Sequence, residues 1–98
     1  MENMDVPLIA GTFECEDANE LLLSLINYKI QFHQFRHFSA QERFGVNDEV
    51  SQTRMRELAK ARLEIIEYLD LAKSLNCLVS VQSTLSIKLL PRAQPLRA

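Results

Sequence analysis

The sequence predicts an α+β domain of order β-α-α-β, in which a long antiparallel helical hairpin packs on a small antiparallel sheet formed by the terminal strands. Apolar residues recur at spacings of three and four over two long stretches, which indicates two amphipathic helices. In residues 79–89 the apolar residues all occupy odd positions and the even positions are polar, which indicates a half-buried strand. Because the link between the helices is short, the helices are antiparallel neighbours and the terminal strands also run antiparallel.

The first predicted strand covers residues 6–14. This segment is short, apolar and rich in residues that favour strands. Pro7 and Gly11 lie within it, at positions where a strand edge or a bulge tolerates both residue types. The segment is therefore predicted to be a strand in spite of them.

The first helix is predicted to begin at Cys15 and to run to about His37. Residues 39–42, Ser-Ala-Gln-Glu, have the form of a capping box, at which the first helix would stop and a short helical turn would begin. Gly45 then supplies the left-handed position that closes such a turn. One face of the helix is marked by Ala18, Leu21, Leu22, Leu25, Ile26, Phe32 and His33.

The second helix is the most regular stretch of the chain, with no Gly or Pro from Asp48 to Cys77. Asn47, Asp48 and Glu49 form its start signal, because they offer a cap and negative charge in the first turn. The last strand follows and stops at Pro91. We therefore predict one domain over residues 1–90 and a flexible C-terminal tail over residues 91–98.

Composition excludes several classes of protein. The 98 residues are 47% hydrophobic and 24% charged, which is typical of a soluble globular domain, and no run is long enough to cross a bilayer. The N-terminus lacks the basic and apolar regions of a secretory signal, and two cysteines are too few for a disulfide framework. We expect a cytoplasmic protein that has no membrane partner.

No sequence motif of an enzyme is present. The serines lack the GxSxG and SxxK patterns of nucleophilic catalysis, and the paired carboxylates occur at helix ends and on solvent faces. With two glycines in the chain, loops able to shape a substrate pocket are scarce. We therefore expect a protein that is not an enzyme and that has no cofactor.

Self-association is predicted from what a single copy would leave exposed. A two-stranded sheet is marginal alone and has two open edges. The apolar arc of the first helix, which includes Leu23, Tyr28, Ile30 and Phe35, is wider than one helix and a thin sheet would cover. We predict a homodimer, formed through a sheet edge, the free helix face or both, that serves as a protein-protein interaction module with an unknown protein partner.

The net charge of −2 argues against nucleic acid as a general partner, yet it hides a separation of charge. Residues 29–62, near the link, carry a net charge of +3, whereas residues 14–28 and 63–76 together carry −6. Aromatic residues accompany the basic end, and basic side chains with aromatic rings can bind phosphate-bearing ligands or single-stranded nucleic acid. The candidate anion-binding residues of this alternative function are Lys29, Arg36, Arg54, Arg56, Arg62, Phe35 and Phe38.

Lys29, Arg36 and Arg62 fall within apolar arcs of the predicted helices. A charge in that position extends to water, pairs with an acidic residue of this chain or a partner, or lines an anion site. The aromatic residues have two interpretations as well, since they can fill the core or a dimer interface instead of binding a ligand. The sequence leaves these alternatives open.

His33 and His37 are four residues apart, which is the helical spacing of a metal-binding pair. The sequence lacks the Glu that follows the first His in the catalytic version, and Arg36 precedes the second His. The pair is thus a weak metal candidate, and no metal site is predicted. If facing residues of the two helices have numbers that sum to about 92, Cys15 and Cys77 lie at the same end of the hairpin, where we expect reduced thiols.

Overall fold

The computed structural model describes residues 3–92 and contains four elements in the predicted order. They are β1 (Asn3–Phe13), α1 (Cys15–Phe44), α2 (Glu49–Ser74) and β2 (Val79–Lys88). The helices form a hairpin that packs against a two-stranded antiparallel sheet made of the terminal strands, which confirms the predicted fold class. Of the predicted tail, residues 93–98 lie outside the described residues.

The sheet keeps its apolar residues on one face by means of a β-bulge. The pairing of β1 with β2 shifts between Pro7 and Ile9, so Leu8 is the extra residue. Before the bulge, Val6 pairs with Leu85, and after it the odd-numbered residues of β1 pair with the odd-numbered residues of β2. Because paired residues share a face, one face carries Met4, Val6, Ile9, Phe13, Val79, Val81, Leu85 and Ile87.

β1 begins three residues earlier than predicted, because pairing with β2 extends it. Asn3 pairs with Lys88, and the Oγ of Ser86 donates a hydrogen bond of 2.7 Å to Oδ1 of Asp5. Neither Asn3 nor Asp5 favours a strand by itself. Their strand conformation is therefore imposed by the opposite strand.

α1 is longer than predicted, and the expected end near His37 was wrong. The helix runs without a break to Phe44 and ends where Gly45, with φ of 63°, donates its backbone N–H to the carbonyl of Gln41. The Ser39–Glu42 segment resembles a capping box but contains no residue that prevents helix continuation. Gly45 is the first residue that favours a left-handed conformation, and this is where the helix stops.

α2 begins at the predicted cap, Asp48. It ends at Ser74, three residues before Cys77, the end of the predicted helical stretch. Asp48 is its N-cap, and its side chain accepts a hydrogen bond from the backbone N–H of Ser51. At the other end Asn76 adopts φ of 54°, Asn76 N–H bonds to the carbonyl of Lys73, and Cys77 N–H bonds to the carbonyl of Ala72. These bonds form a Schellman motif, so the helix ends at Ser74.

The folded chain is thin and buries little. Its dimensions are 50 × 34 × 14 Å, and a helix with its side chains is itself about 10–12 Å thick. Most contacts lie within the helix pair or within the strand pair, and α1 is the helix that touches both strands. Within residues 3–92, no helix is long and apolar enough to cross a membrane. Five of the described residues are buried: Ile9, Ala18, His33, Ser51 and Leu69.

The apolar face of the sheet is covered only near its junction with the hairpin. Val79 and Val81 are half-buried, whereas Leu85 and Ile87 are 42% and 45% exposed. The alternating pattern therefore predicted the strand correctly but overstated its burial. The reason is that a period of two fixes the face of each side chain, whereas covering that face depends on where the helices lie.

Candidate functional site

A hydrogen-bonded chain of three side chains joins the two helices where the hairpin closes. The Oγ of Ser51 donates to Oδ2 of Asp48 over 2.8 Å and lies 3.2 Å from Nδ1 of His33. Ser51 and His33 are both completely buried. The helix start signal places Asp48 and Ser51 in one turn, and the helical spacing of α1 turns His33 toward them.

The direction of these hydrogen bonds fixes the proton of His33. Since the single hydroxyl proton of Ser51 goes to the carboxylate, Oγ must accept a proton from Nδ1 of His33. Nε2 then carries a lone pair, and it is buried without a hydrogen-bond partner among the described residues. Burial lowers the pKa of His33, and the positive charges of Lys29, Arg54 and Arg36 lower it further, which keeps the ring neutral.

Asp48 is held as a carboxylate by the same network. Two hydrogen bonds from Ser51, one from the backbone N–H at 3.1 Å and one from the hydroxyl, lower the pKa of Asp48. The residues Asp, Ser and His thus occur together, but in an order that differs from a catalytic triad. Ser51 is the central member, is buried, and gives its proton to the carboxylate instead of to the imidazole.

His37 closes the hairpin at the next turn of α1. Its Nδ1 accepts a hydrogen bond of 3.2 Å from the backbone N–H of Asp48. The link between the helices also folds back along α1, because the amide of Gln41 donates to Oδ1 of Asn47 over 3.1 Å. The last part of α1 therefore extends past the start of α2.

The two histidines of the weak metal candidate both use Nδ1 within the hairpin. His33 bonds to Ser51 and His37 to Asp48. Among residues 3–92 there is no group of three His, Cys, Asp or Glu side chains placed to hold a metal ion. The conformation therefore gives these histidines a structural role at the hairpin end.

Lys29 and Arg36 both contact one aromatic ring, that of Phe32. The Nζ of Lys29 is 4.8 Å from the ring centre of Phe32, and the Cζ of Arg36 is 5.8 Å from it. Both distances are typical of cation–π contacts. The ring of Phe32 also meets the ring of His33 edge to face, with 5.4 Å between ring centres. The ring of Phe32 thus positions both cations. Phe32 was not among the predicted anion-binding residues.

The remaining predicted cations contact polar neighbours on or across the helices. Arg54 forms an ion pair with Glu57, and Arg56 contacts the hydroxyl of Thr53 at 3.4 Å. Arg62 bonds through Nε to Oδ1 of Asn27 over 3.1 Å, which joins α2 to α1. Arg62 thus has an amide partner within the chain instead of an acidic one.

Phe35 and Phe38, the two predicted aromatic members of the anion site, are both highly exposed. Phe35 and Arg36 line an open hollow near the end of α1, together with Arg43, Phe44 and the acidic Asp48. With about 100° between successive residues, Phe38 lies about 60° around α1 from Phe35, and it does not line this hollow. Of the two predicted aromatic residues, the hollow thus contains Phe35.

At the opposite end of the hairpin, the two cysteines are neighbours. The Sγ of Cys15 donates a hydrogen bond of 3.3 Å to the carbonyl of Cys77, and both thiols are free. The predicted register is therefore confirmed at this end. Near the link, His33 faces Ser51, so the numbers of facing residues sum to less than 92 there.

One side of the hairpin carries an exposed apolar surface, which we call the aromatic face. On each helix we measure the rotation about the helix axis from the residue that faces the other helix, His33 on α1 and Ser51 on α2. The residues of the aromatic face are rotated from these positions by about 80–160°, in the same direction along both chains. Because the helices are antiparallel, this direction leads to the same side of the hairpin on both helices. The aromatic face consists of Leu25, Tyr28, Phe32 and Phe35 of α1 with Tyr68 and Leu71 of α2, all of them exposed.

The opposite side of the hairpin is more polar. Asn27, Gln34 and Gln41 occupy the corresponding positions on α1, and Gln52 and Asp70 do so on α2. Exposed apolar residues are fewer on this side, where they include Phe38 and Leu63. The hairpin is therefore apolar at its inner seam and more apolar on one outer side than on the other. This second apolar surface is the feature that a folded single copy leaves uncovered.

No protein-family model, no curated protein and no solved structure matches this chain. The proposed function therefore rests on the geometry described above.

Proposed function

We propose that the chain is a small, non-catalytic, self-associating module for protein-protein interaction, and that its basic unit is a homodimer. The observation that carries this proposal is the small number of buried residues, five in the described chain. A stable domain normally packs two layers of secondary structure around one core. A chain 14 Å thick, whose sheet is covered only near its junction with the hairpin, leaves one side of its helices without a packing layer, and a second copy supplies that layer.

The non-catalytic part of the proposal is supported by the Asp48–Ser51–His33 network. Ser51 is buried and donates its proton to Asp48, so it is not available as a nucleophile activated by His33. The hydrogen bonds from His33 to Ser51 and from Ser51 to Asp48 connect α1 to α2, so these three residues stabilise the hairpin. Free thiols at Cys15 and Cys77 are compatible with the proposed cytoplasmic location.

Sedimentation velocity over a concentration series tests self-association directly. We expect a dimer of about twice the 11.3 kDa chain mass at micromolar concentration, with helical circular dichroism. A folded monomer throughout the series up to roughly 100 µM, well above the range of specific protein interfaces, would reject the proposed function.

The alternative function, an anion or nucleic-acid binding module, is favoured by one observation. Lys29 and Arg36 have no carboxylate within ion-pair distance among the described residues, and Arg36 and Arg43 line the hollow beside Phe35, although Asp48 lines it too. Unpaired cations beside exposed rings suit a phosphate group with a stacked base. The partner class would be a nucleotide or a short single strand.

Fluorescence anisotropy with a labelled oligonucleotide tests this alternative. Binding at low salt that weakens steeply as salt rises would support it, because bound phosphates release counterions. The replacement Arg36→Ala should then weaken binding more than Lys73→Ala, since Lys73 lies at the acidic end. Unchanged anisotropy at low salt would eliminate the alternative.

A further inference from the structure

We infer that the partner is a second copy of this chain seated on the aromatic face, with the two hairpins antiparallel to each other. In this arrangement α1 lies on α1 of the other copy and α2 on α2 of the other copy, which gives a four-helix bundle. The inference rests on the proposed self-association and adds which surface is used and in which orientation.

The aromatic side chains of the aromatic face are largely exposed in a single copy. Tyr28 is 72% exposed, Phe35 is 70% exposed and Tyr68 is 68% exposed. With side-chain areas of about 150–250 Å² for aromatic residues, the aromatic face with Leu75 presents on the order of 800 Å² of apolar surface. A stable interface buries about 800 Å² on each partner, so this face is large enough for a dimer.

The aromatic face competes with the sheet edges as a surface for a second copy. The edge of β1 is irregular at Leu8 and carries Pro7, which cannot donate a backbone hydrogen bond. The aromatic face spans both helices, with Glu57 and Glu64 among its residues on α2, and contains the rigid aromatic side chains that dominate interface energies. Because it covers one side of the hairpin, a second copy meets it with its own identical surface through a two-fold axis.

Charge decides the orientation. The half of the hairpin near the link carries +3, and the half near the cysteines carries −6. If the two hairpins lay side by side with their links together, charges of the same sign would face each other. In the antiparallel arrangement each basic half lies on the acidic half of the other copy. Arg36, which forms no ion pair among the described residues, then lies near Glu20 of the other copy, whereas Lys29 stays near the middle of α1.

A matched pair of variants tests the face. Phe35→Glu places a charge on the aromatic face, whereas Gln34→Glu places the same charge at an exposed position on the opposite side of α1. We expect Phe35→Glu to raise the dimer dissociation constant by about tenfold or more, as removal of an aromatic interface residue commonly does, and Gln34→Glu to leave it within about twofold. Circular dichroism of both variants checks that the helices remain formed.

Salt dependence and engineered disulfides test the orientation. Salt should weaken an antiparallel dimer and strengthen one with its links together, because it screens attraction in the first and repulsion in the second. In a Cys15→Ser, Cys77→Ser background, a mixture of Leu25→Cys and Phe32→Cys chains should form mixed disulfides. A two-fold axis between Tyr28 and Lys29, one residue from the middle of α1, places position 25 opposite position 32 of the other copy.

The disulfide experiment has two controls: each cysteine variant alone, and a pair of cysteine variants on the opposite side of α1. In the antiparallel dimer, position 25 of one copy is about 10 Å along the axis from position 25 of the other, beyond the roughly 7 Å limit for a disulfide. Each chain alone should therefore remain unlinked. The chains Asn27→Cys and Gln34→Cys have the same spacing on the opposite side and should not cross-link when mixed.

The outcomes separate this inference from the proposed function. If the unmodified chain is monomeric, the proposed function fails and the inference fails with it. If it is dimeric but Phe35→Glu leaves the dissociation constant unchanged, self-association stands and the aromatic face is rejected. If Phe35→Glu dissociates the dimer but salt strengthens the unmodified dimer and the mixed disulfide is absent, the face stands and the antiparallel orientation is rejected.

Discussion

The hydroxyl of Ser51 lies 3.2 Å from Nδ1 of His33, and the two residues are the buried polar side chains of the described chain. They come from different helices and are 18 positions apart in the sequence. Through Asp48, which accepts the hydroxyl proton, they tie the N-terminus of α2 to the middle of α1. This pair fixes the alignment of the helices, and with it the alignment of the aromatic residues on the outer face.

Acidification should destabilise the fold through His33. The folded-state pKa of His33 lies below its ordinary value of about 6.5, so the unfolded chain binds more protons in the interval between the two values. Stability is therefore fully present above about pH 6.5 and falls as the pH drops below it toward the folded-state pKa. Urea unfolding at pH 7.5 and pH 5.5, at one protein concentration, measures this loss.

The variant His33→Asn should show a smaller loss of stability between these two pH values, because its side chain does not titrate. His37→Asn serves as the matched control, since it retains His33. An equal loss in the unmodified chain and in His33→Asn would contradict the role assigned to His33.

Removal of the Ser51 hydroxyl should lower the free energy of unfolding by about 1–3 kcal/mol. Ser51→Ala leaves Nδ1–H of His33 buried without its partner and removes one donor from Asp48. Ser74→Ala is the control, because Ser74 is exposed and bonds to the carbonyl of Leu71 within its own helix, and its effect should stay within about 0.5 kcal/mol. Chemical unfolding compares the two, and equal effects would contradict the prediction.

Substitution of Gly45 should lower the free energy of unfolding, although no atom lies close enough to clash with a new side chain. No atom would come within 4 Å of an added Cβ, but φ is 63°, a conformation that costs an L-residue about 1–2 kcal/mol. Gly45→Ala should therefore destabilise the fold through backbone strain alone. Gly11→Ala provides the contrast, because the strand conformation suits alanine and the nearest atom is a Phe13 ring carbon at 3.4 Å.

We expect the Gly11→Ala variant to unfold within about 0.5 kcal/mol of the unmodified chain, as substitutions without a specific defect usually do. Thermal and chemical unfolding should rank the three proteins in the same order. A Gly45→Ala protein as stable as Gly11→Ala would show that the left-handed turn is not required at the end of α1.

Asn76 should be needed for the end of α2. It occupies the left-handed position of the Schellman motif, which glycine and asparagine adopt more easily than other residues. Asn76→Ala should lower stability by about 1 kcal/mol and Asn76→Gly should not. Asn19→Ala, an exposed position inside α1, should be neutral or stabilising, since alanine favours the helix. Destabilisation by Asn76→Gly equal to that by Asn76→Ala would contradict this account.

Most of the fold could be predicted from local sequence, and the failures have specific causes. The periodicity of α1 and α2, the alternation of β2 and the turn at Gly45 are properties of neighbouring residues, and all are present in the structure. The predicted end of α1 was wrong because a capping sequence allows a helix to start but does not prevent an existing helix from continuing. Residues 39–44 contain no Gly or Pro that would break the helix. The sequence contained a signal for the end of α2 in Asn76, because asparagine favours the left-handed conformation that ends a helix.

The candidate site was predicted less completely. The sequence indicated Lys29 and Arg36 as unusual and His33 as a residue of the helix face, but it did not reveal that both cations contact the ring of Phe32 or that Ser51 forms a hydrogen bond with His33. Such pairings depend on the relative rotation and translation of two helices. A shift of one residue in either helix would change both.

By itself, the sequence determined the order of the elements, the closing turn, the cap at Asp48 and the separation of charge along the hairpin, because each follows from residues close together in the chain. Tertiary structure decided the extension of β1 to Asn3, the bulge at Leu8, the buried His33–Ser51 contact and the position of the sheet beside α1. These features arise from contacts between distant segments, whose free energy depends on how whole elements fit together. The exposed aromatic face belongs to both levels, since helical periodicity supplies its residues and the arrangement of the four elements leaves it uncovered.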